Sequence, residues 1–207
     1  MRRENDMKSA PQKTTSTKKI KKINVKKVAF AGLMTALSLA LGYLEHLVPL
    51  PIGIYGIKLG LANLAVVTIL YLFDGKTALS INALRIALSS LLFGNTVSLA
   101  YSVCGGLLST LAMIIAKRTG KLGITGVSIL GGITHNTAQL AVAVFLVDNL
   151  KIAFYLPVLL AVGALTGFLI GACALPVVGN SYIKKLCGNK EGSVTAYDHK
   201  ERRRTND

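Results

Sequence analysis

The chain has 207 residues, is 52% hydrophobic, and carries a formal net charge of +15. The charge and the apolar residues are segregated, with most of the charge in the first 27 residues, the last stretch and a few short loops. Neither tail holds enough periodic apolar residues to bury a core, so a soluble domain is excluded, and the distribution is that of a multi-span membrane protein.

In chain order, the reading begins with a basic tail over 1–27, too long and polar to lead a cleavable signal peptide, so a retained first helix is expected behind it. A spanning helix needs roughly 20 apolar residues. Segment one runs from Val28 to Val48 and stops at Pro49. Segment two, Gly60 to Phe73, closes at Asp74-Gly75, and segment three runs from Thr77 to Phe93. Segment four, Thr96 to Ala116, is stopped by Lys117-Arg118, and segment five runs from Ile124 to Val147. Segment six, Ile152 to Val178, is expected to shorten or bend at Pro157 and Pro176. The fold class is therefore all-α, a six-transmembrane-helix bundle over 28–178 followed by a basic tail over 179–207. With the N-terminus inside, 21 Lys/Arg fall on the cytoplasmic side against two outside, Lys58 and Lys151, with Arg85 left in the membrane. That asymmetry predicts a multi-pass protein of the cell membrane with both termini cytoplasmic. Tyr43, Tyr55, Tyr71, Phe73, Phe93, Phe145, Phe154 and Tyr155 lie near segment ends, where an aromatic belt is expected. Cys104, Cys173 and Cys187 have neither zinc spacing nor the even count of a disulfide framework, and read as small packing residues and one incidental tail thiol.

Four features stand out from the apolar background. Gly32, Ala36 and Ala40 recur every four residues on segment one, and Gly163, Gly167 and Gly171 on segment six. Such ladders let helices approach closely, either within the chain or against a partner membrane protein. Arg85 lies roughly 12 Å from either end of its helix, too deep to reach water easily, and needs a partner or a wet environment. Glu45 is the acidic residue within a span, so an Arg85–Glu45 pair is one reading and an anionic ligand the other. In segment five, His135 and Gln139 share a face with Asn136 one step away, fit either for interhelical hydrogen bonds or for lining a substrate site. The stretch from Pro49 to Asn63 breaks the first helix, is either a connection or a lid, and places the Asn63 amide just inside segment two.

Catalysis has no visible apparatus: of five aspartates none adjoins another acid, and no nucleophile–base or phosphate-cradling motif is present. No cofactor and no metal site is expected. The tails suit anionic membrane lipid, and with almost no interleaved aromatics they do not suit nucleic acid.

The runs IKLGLANL (Ile57 to Leu64), ALRIALSSLLFG (Ala83 to Gly94) and HNTAQL (His135 to Leu140) resemble the Gx transporter family, small bacterial membrane proteins often labelled heptaprenyl diphosphate synthase component I. The resemblance extends from Lys27 to Val178. It implies likeness to the substrate-binding S-components of energy-coupling-factor transporters, six-helix proteins that capture a vitamin-like small molecule. On that likeness Gly32, Ala36 and Ala40 would dock a transmembrane coupling protein driven by ATPases, and Pro49 to Lys58 would cap the ligand. Glu45, Asn63, Arg85, His135, Asn136 and Gln139 are the candidate ligand contacts. The other label implies a membrane accessory in making the prenyl tail of menaquinone. A prenyl diphosphate synthase normally holds diphosphate and magnesium through aspartate-rich motifs, which this chain lacks, so the accessory would be non-catalytic.

Overall fold

A computed structural model describes residues 25–47, 60–93 and 96–187; the expected lid over 49–58 and both distal tails lie outside them. The described residues form α1 (Val25–Leu47), α2 (Asn63–Leu72), α3 (Gly75–Phe93), α4 (Thr96–Thr119), α5 (Ile124–Val147), a 3-10 turn (Leu150–Tyr155), α6 (Leu156–Gly179) and α7 (Ser181–Leu186). The fold is all-helical, with one helix for each expected segment.

Only four of these elements, α1, α4, α5 and the turn plus α6, are long and apolar enough to cross a membrane. The expectation of six spans is therefore met in part. α2 has ten residues, or about 15 Å of rise, half of a hydrocarbon core. α3 has 19 residues but carries Asn82 and Arg85. Pro157 stands in the first turn of α6, where its missing N–H costs nothing, and the turn before it absorbs the expected break. Pro176 lies inside α6, which continues to Gly179.

The short helix is the hub. α1, α3, α4, α5 and α6 follow one another in an arc, each packed on the next, and all five touch α2. Nine of its ten residues are buried, Val67 and Ile69 fully. A helix apolar on every side belongs inside a bundle rather than at its surface. Its lower half joins Phe30 and Met34 of α1, Met113 of α4, Val127 of α5 and Val178 of α6 in one apolar core. Lys117 closes the C-terminal end of α2, its Nζ donating to the Leu70 carbonyl at 2.6 Å and standing 4.9 Å from the Tyr71 ring centre. A cation there complements the helix dipole. Tyr71, in the last turn of α2, is thus buried within the bundle rather than in the interfacial belt, whereas Tyr43, Phe145, Phe154 and Tyr155 are exposed as the belt requires.

The outer surface of the arc is apolar. Leu33, Leu91, Ile115, Phe145 and Leu165 are each more than 60% exposed, a patch density that water does not tolerate and lipid does.

The segment-six ladder is spent within the chain. A Cβ on Gly167 would lie 2.6 Å from the Ser128 carbonyl oxygen and one on Gly171 2.7 Å from the Thr125 Cα, while Gly132 meets the Gly163 carbonyl. α5 and α6 therefore touch backbone to backbone, with no side chain free to move aside. Gly167→Ala should destabilise the protein by about 3 kcal/mol, the upper range for overpacking. Gly32→Ala, which lies inside α1 and meets nothing within 4 Å, should leave the thermal unfolding temperature in detergent unchanged or slightly raised, since alanine favours the helix.

The fold also extends past the expected end of the membrane domain. Asn180 caps α7 through Oδ1, which accepts from Tyr182 N and Ile183 N. The turn after α7 buries Cys187 completely against the core, so this thiol is a packing residue and not an incidental one. Burial pushes its pKa up, with Lys27 acting weakly in the opposite sense. Maleimide should label Cys187 slowly in the folded protein near neutral pH and quickly after denaturation, as peptide mass spectrometry would read.

Candidate functional site

Above the apolar core, at the level where α2 begins, the bundle interior becomes polar. α1 supplies an inward face of Ser38, Gly42 and Glu45, spaced so that all three lie on one side of the helix. Ser38 Oγ donates to the Ala62 carbonyl at 3.0 Å, and the Glu45 carboxylate accepts from the Leu61 backbone N–H. Two polar contacts from α1 thus hold the chain entering α2. A carboxylate at that point also offsets the positive end of the α2 dipole.

Arg85, 6% exposed, projects from α3 into this layer. Its Nε donates to Asn82 Oδ1 at 3.0 Å. Asn82 is itself held by α4: its Nδ2 donates to the Gly106 carbonyl at 2.9 Å and to Thr110 Oγ1 at 2.8 Å. Among the described residues, neither Nη of Arg85 has a hydrogen-bond partner or a carboxylate at ion-pair distance. Glu45 acts on the guanidinium electrostatically but does not bond it. The direct Arg85–Glu45 pair is thus absent, because the Glu45 carboxylate binds the entrance of α2 and Asn82, one turn away on α3, grips the arginine instead.

Two glycines let α1 and α4 approach the guanidinium closely. A Cβ on Gly42 would stand 3.9 Å from Nη1, and one on Gly106 3.4 Å from Nη2. The preceding residue, Gly105, faces the other way. A Cβ there would lie 2.9 Å from Gln139 Cγ and 3.1 Å from His135 Nδ1. The Gly105-Gly106 step in α4 therefore admits the α3 polar pair on one side and the α5 polar pair on the other. Gly60, at φ 82°, completes the second group. Its missing Cβ would lie 3.0 Å from Asn63 Nδ2 and 3.4 Å from His135 Cδ2, so both its left-handed backbone and the close approach favour glycine.

The candidate residues are thereby sorted. Glu45 and Arg85 share one side of the layer, and Asn63, His135 and Gln139 the other. Asn136 leaves both groups: its Nδ2 donates to the Leu159 carbonyl of α6 at 2.9 Å, which makes it a link between α5 and α6. Gly32, Ala36 and Ala40 are all exposed on the outward face of α1, opposite Ser38 and Gly42. Asn82, Thr110, Gly60 and the Gly105-Gly106 pair were not singled out from sequence. The legible signal for Asn82 is its place three residues before Arg85; the glycines carry none, since Gly131-Gly132 of α5 is an equal pair. Among the described residues, no cluster of His, Cys, Asp and Glu fit for a metal ion occurs.

Compared with known proteins, no curated protein and no solved structure matches the chain. A family model described as heptaprenyl diphosphate synthase component I matches residues 34–176, which take in the bundle from mid-α1 to the last turn of α6 and every polar residue of the site. The chain belongs to the heptaprenyl diphosphate synthase component I family.

Proposed function

We propose that this chain is the non-catalytic membrane component of a heptaprenyl diphosphate synthase, serving the isoprenoid tail of menaquinone from the cytoplasmic membrane. The family match over 34–176 carries this reading. The chain has nine acidic residues and no aspartate-rich motif, so magnesium–diphosphate chemistry falls to a separate polypeptide. Lys26, Lys27, Lys76, Lys117, Arg118, Lys121, Lys184 and Lys185 occupy helix ends and turns at the end of the bundle that holds the apolar core. By the charge asymmetry of membrane loops that end is cytoplasmic, together with both termini. Basic groups there attract anionic headgroups and an acidic soluble partner, which would release its lengthening apolar product beside the bilayer.

A second reading, a subunit that captures a small anionic molecule for uptake, is favoured by a specific observation. The α1 ladder of Gly32, Ala36 and Ala40 is exposed rather than spent inside the chain, as a docking face for a transmembrane coupling protein with ATPases would be. One experiment separates the two. Tagged full-length protein is recovered from its native membrane in mild detergent, and bound proteins are identified by mass spectrometry. A co-purifying prenyl synthase, with prenyl transfer activity in the eluate, supports the first reading. ATPases and a coupling protein without a synthase overturn it in favour of the second.

A further inference from the structure

Among the described residues, Arg85 is the unspent cation of the membrane interior. Its burial removes the hydration that a guanidinium normally keeps, and one bond to a neutral amide does not replace it. Asn82 fixes Nε, and two bonds from its Nδ2 to α4 fix Asn82 in turn, so the direction of the outer edge is set before any ligand arrives. That edge, with Nη1 and Nη2, lies between the glycine faces of α1 and α4. A planar fork held in this way matches the two oxygens of a carboxylate.

The charge balance selects among anions. A phosphate monoester carries about two negative charges near neutral pH, and a diphosphate carries more. Within a low-dielectric layer one guanidinium balances one negative charge, and the Glu45 carboxylate already acts on it. A polyanion would therefore leave uncompensated charge where it is most costly. A monocarboxylate adds a single negative charge, the smallest excess over the Arg85 and Glu45 charges that an anion can bring. Asn63 Oδ1, buried without a partner among the described residues, adds to the same layer an acceptor for an N–H or O–H on the body of a ligand.

We propose that Arg85, gripped at Nε by Asn82 and without a hydrogen-bond partner at either Nη among the described residues, binds the carboxylate of a small singly charged molecule inside the bundle. This rests on the ligand-capturing reading of the site and narrows it, because it excludes a prenyl diphosphate as the occupant.

The test uses the full chain in lipid nanodiscs, with benzoate, octanoate and inorganic pyrophosphate as probes and calorimetric titration and thermal unfolding as readouts. At least one monocarboxylate should bind saturably and raise the melting temperature, and pyrophosphate should do neither. Arg85→Gln should abolish the binding. Glu45→Gln, which keeps an acceptor for Leu61 N while removing the competing charge, should tighten it several-fold. If Arg85→Gln fails to fold, Arg85→Lys serves in its place: it keeps the charge, loses the fork, and should bind the carboxylate at least several-fold more weakly. Arg85-dependent binding of pyrophosphate in preference to both carboxylates overturns the monoanion proposal and leaves a ligand-binding site standing. Carboxylate binding unchanged in Arg85→Gln or Arg85→Lys, or no Arg85-dependent binding of any probe, overturns both.

Discussion

Asn82→Leu should be among the most damaging substitutions in the polar layer, lowering stability by about 3 kcal/mol, the cost of leaving a buried charged group without its partner. The loss has two origins. The two bonds from Asn82 Nδ2 to α4 count for little, since interhelical hydrogen bonds in bilayers average about 0.6 kcal/mol. The larger share comes from Arg85 Nε, which loses the one acceptor described for it. If that account is right, the double variant Asn82→Leu/Arg85→Met should be more stable than Asn82→Leu alone, because removing both members of a buried polar pair costs less than removing one. Thermal or denaturant unfolding of the four proteins in one detergent closes the cycle. A double variant no better than the single would mean that Asn82 acts by joining α3 to α4, and not by serving Arg85.

That pairing marks the limit of what was legible in the sequence. Apolar length located α1 to α6 but not the short, basic α7, and for α5 it matched the observed bounds, Ile124–Val147, because Gly123 precedes the helix and Asp148 ends it in a left-handed conformation. The same signal failed to distinguish α2 from a full span. A short, largely apolar helix looks alike whether it faces lipid or five other helices, and only tertiary packing makes this one the hub. Arg85 was recognisable from its depth, but not its partner. The only acidic residue inside a predicted span suggested Glu45, whereas the helix entering at Leu61 claims that carboxylate and a neutral asparagine three residues away takes the arginine. His135 and Gln139 share a face, as the four-residue spacing requires. What they face was not readable, because it depends on Gly60 and Gly105 offering no side chain of their own. The two small-residue ladders look equivalent in the sequence. Their fates differ because α6 has α5 pressed against its glycines, while α1 turns Ser38, Gly42 and Glu45 inward and leaves its ladder outside.

This difference between the ladders gives the other large prediction. Ala36→Leu/Ala40→Leu should leave the unfolding free energy of the isolated protein within about 0.5 kcal/mol of wild type, as surface substitutions do, since both alanines are exposed. If α1 docks a membrane partner, the same double variant should reduce co-purified partner to a small fraction of wild type. Two leucines would hold the helices apart along two turns, where small residues let backbones approach. Gly167→Leu serves as the contrast: it should destroy the fold itself, because that ladder already has its partner in α5. Unchanged recovery of membrane partners from a folded Ala36→Leu/Ala40→Leu protein would reduce the α1 ladder to a lipid-facing surface. The basic end of the bundle would then be the remaining place for a partner. Charge reversal at Lys76 and Lys121, both exposed, should in that case release a soluble synthase and show a salt dependence that an apolar helix contact would lack.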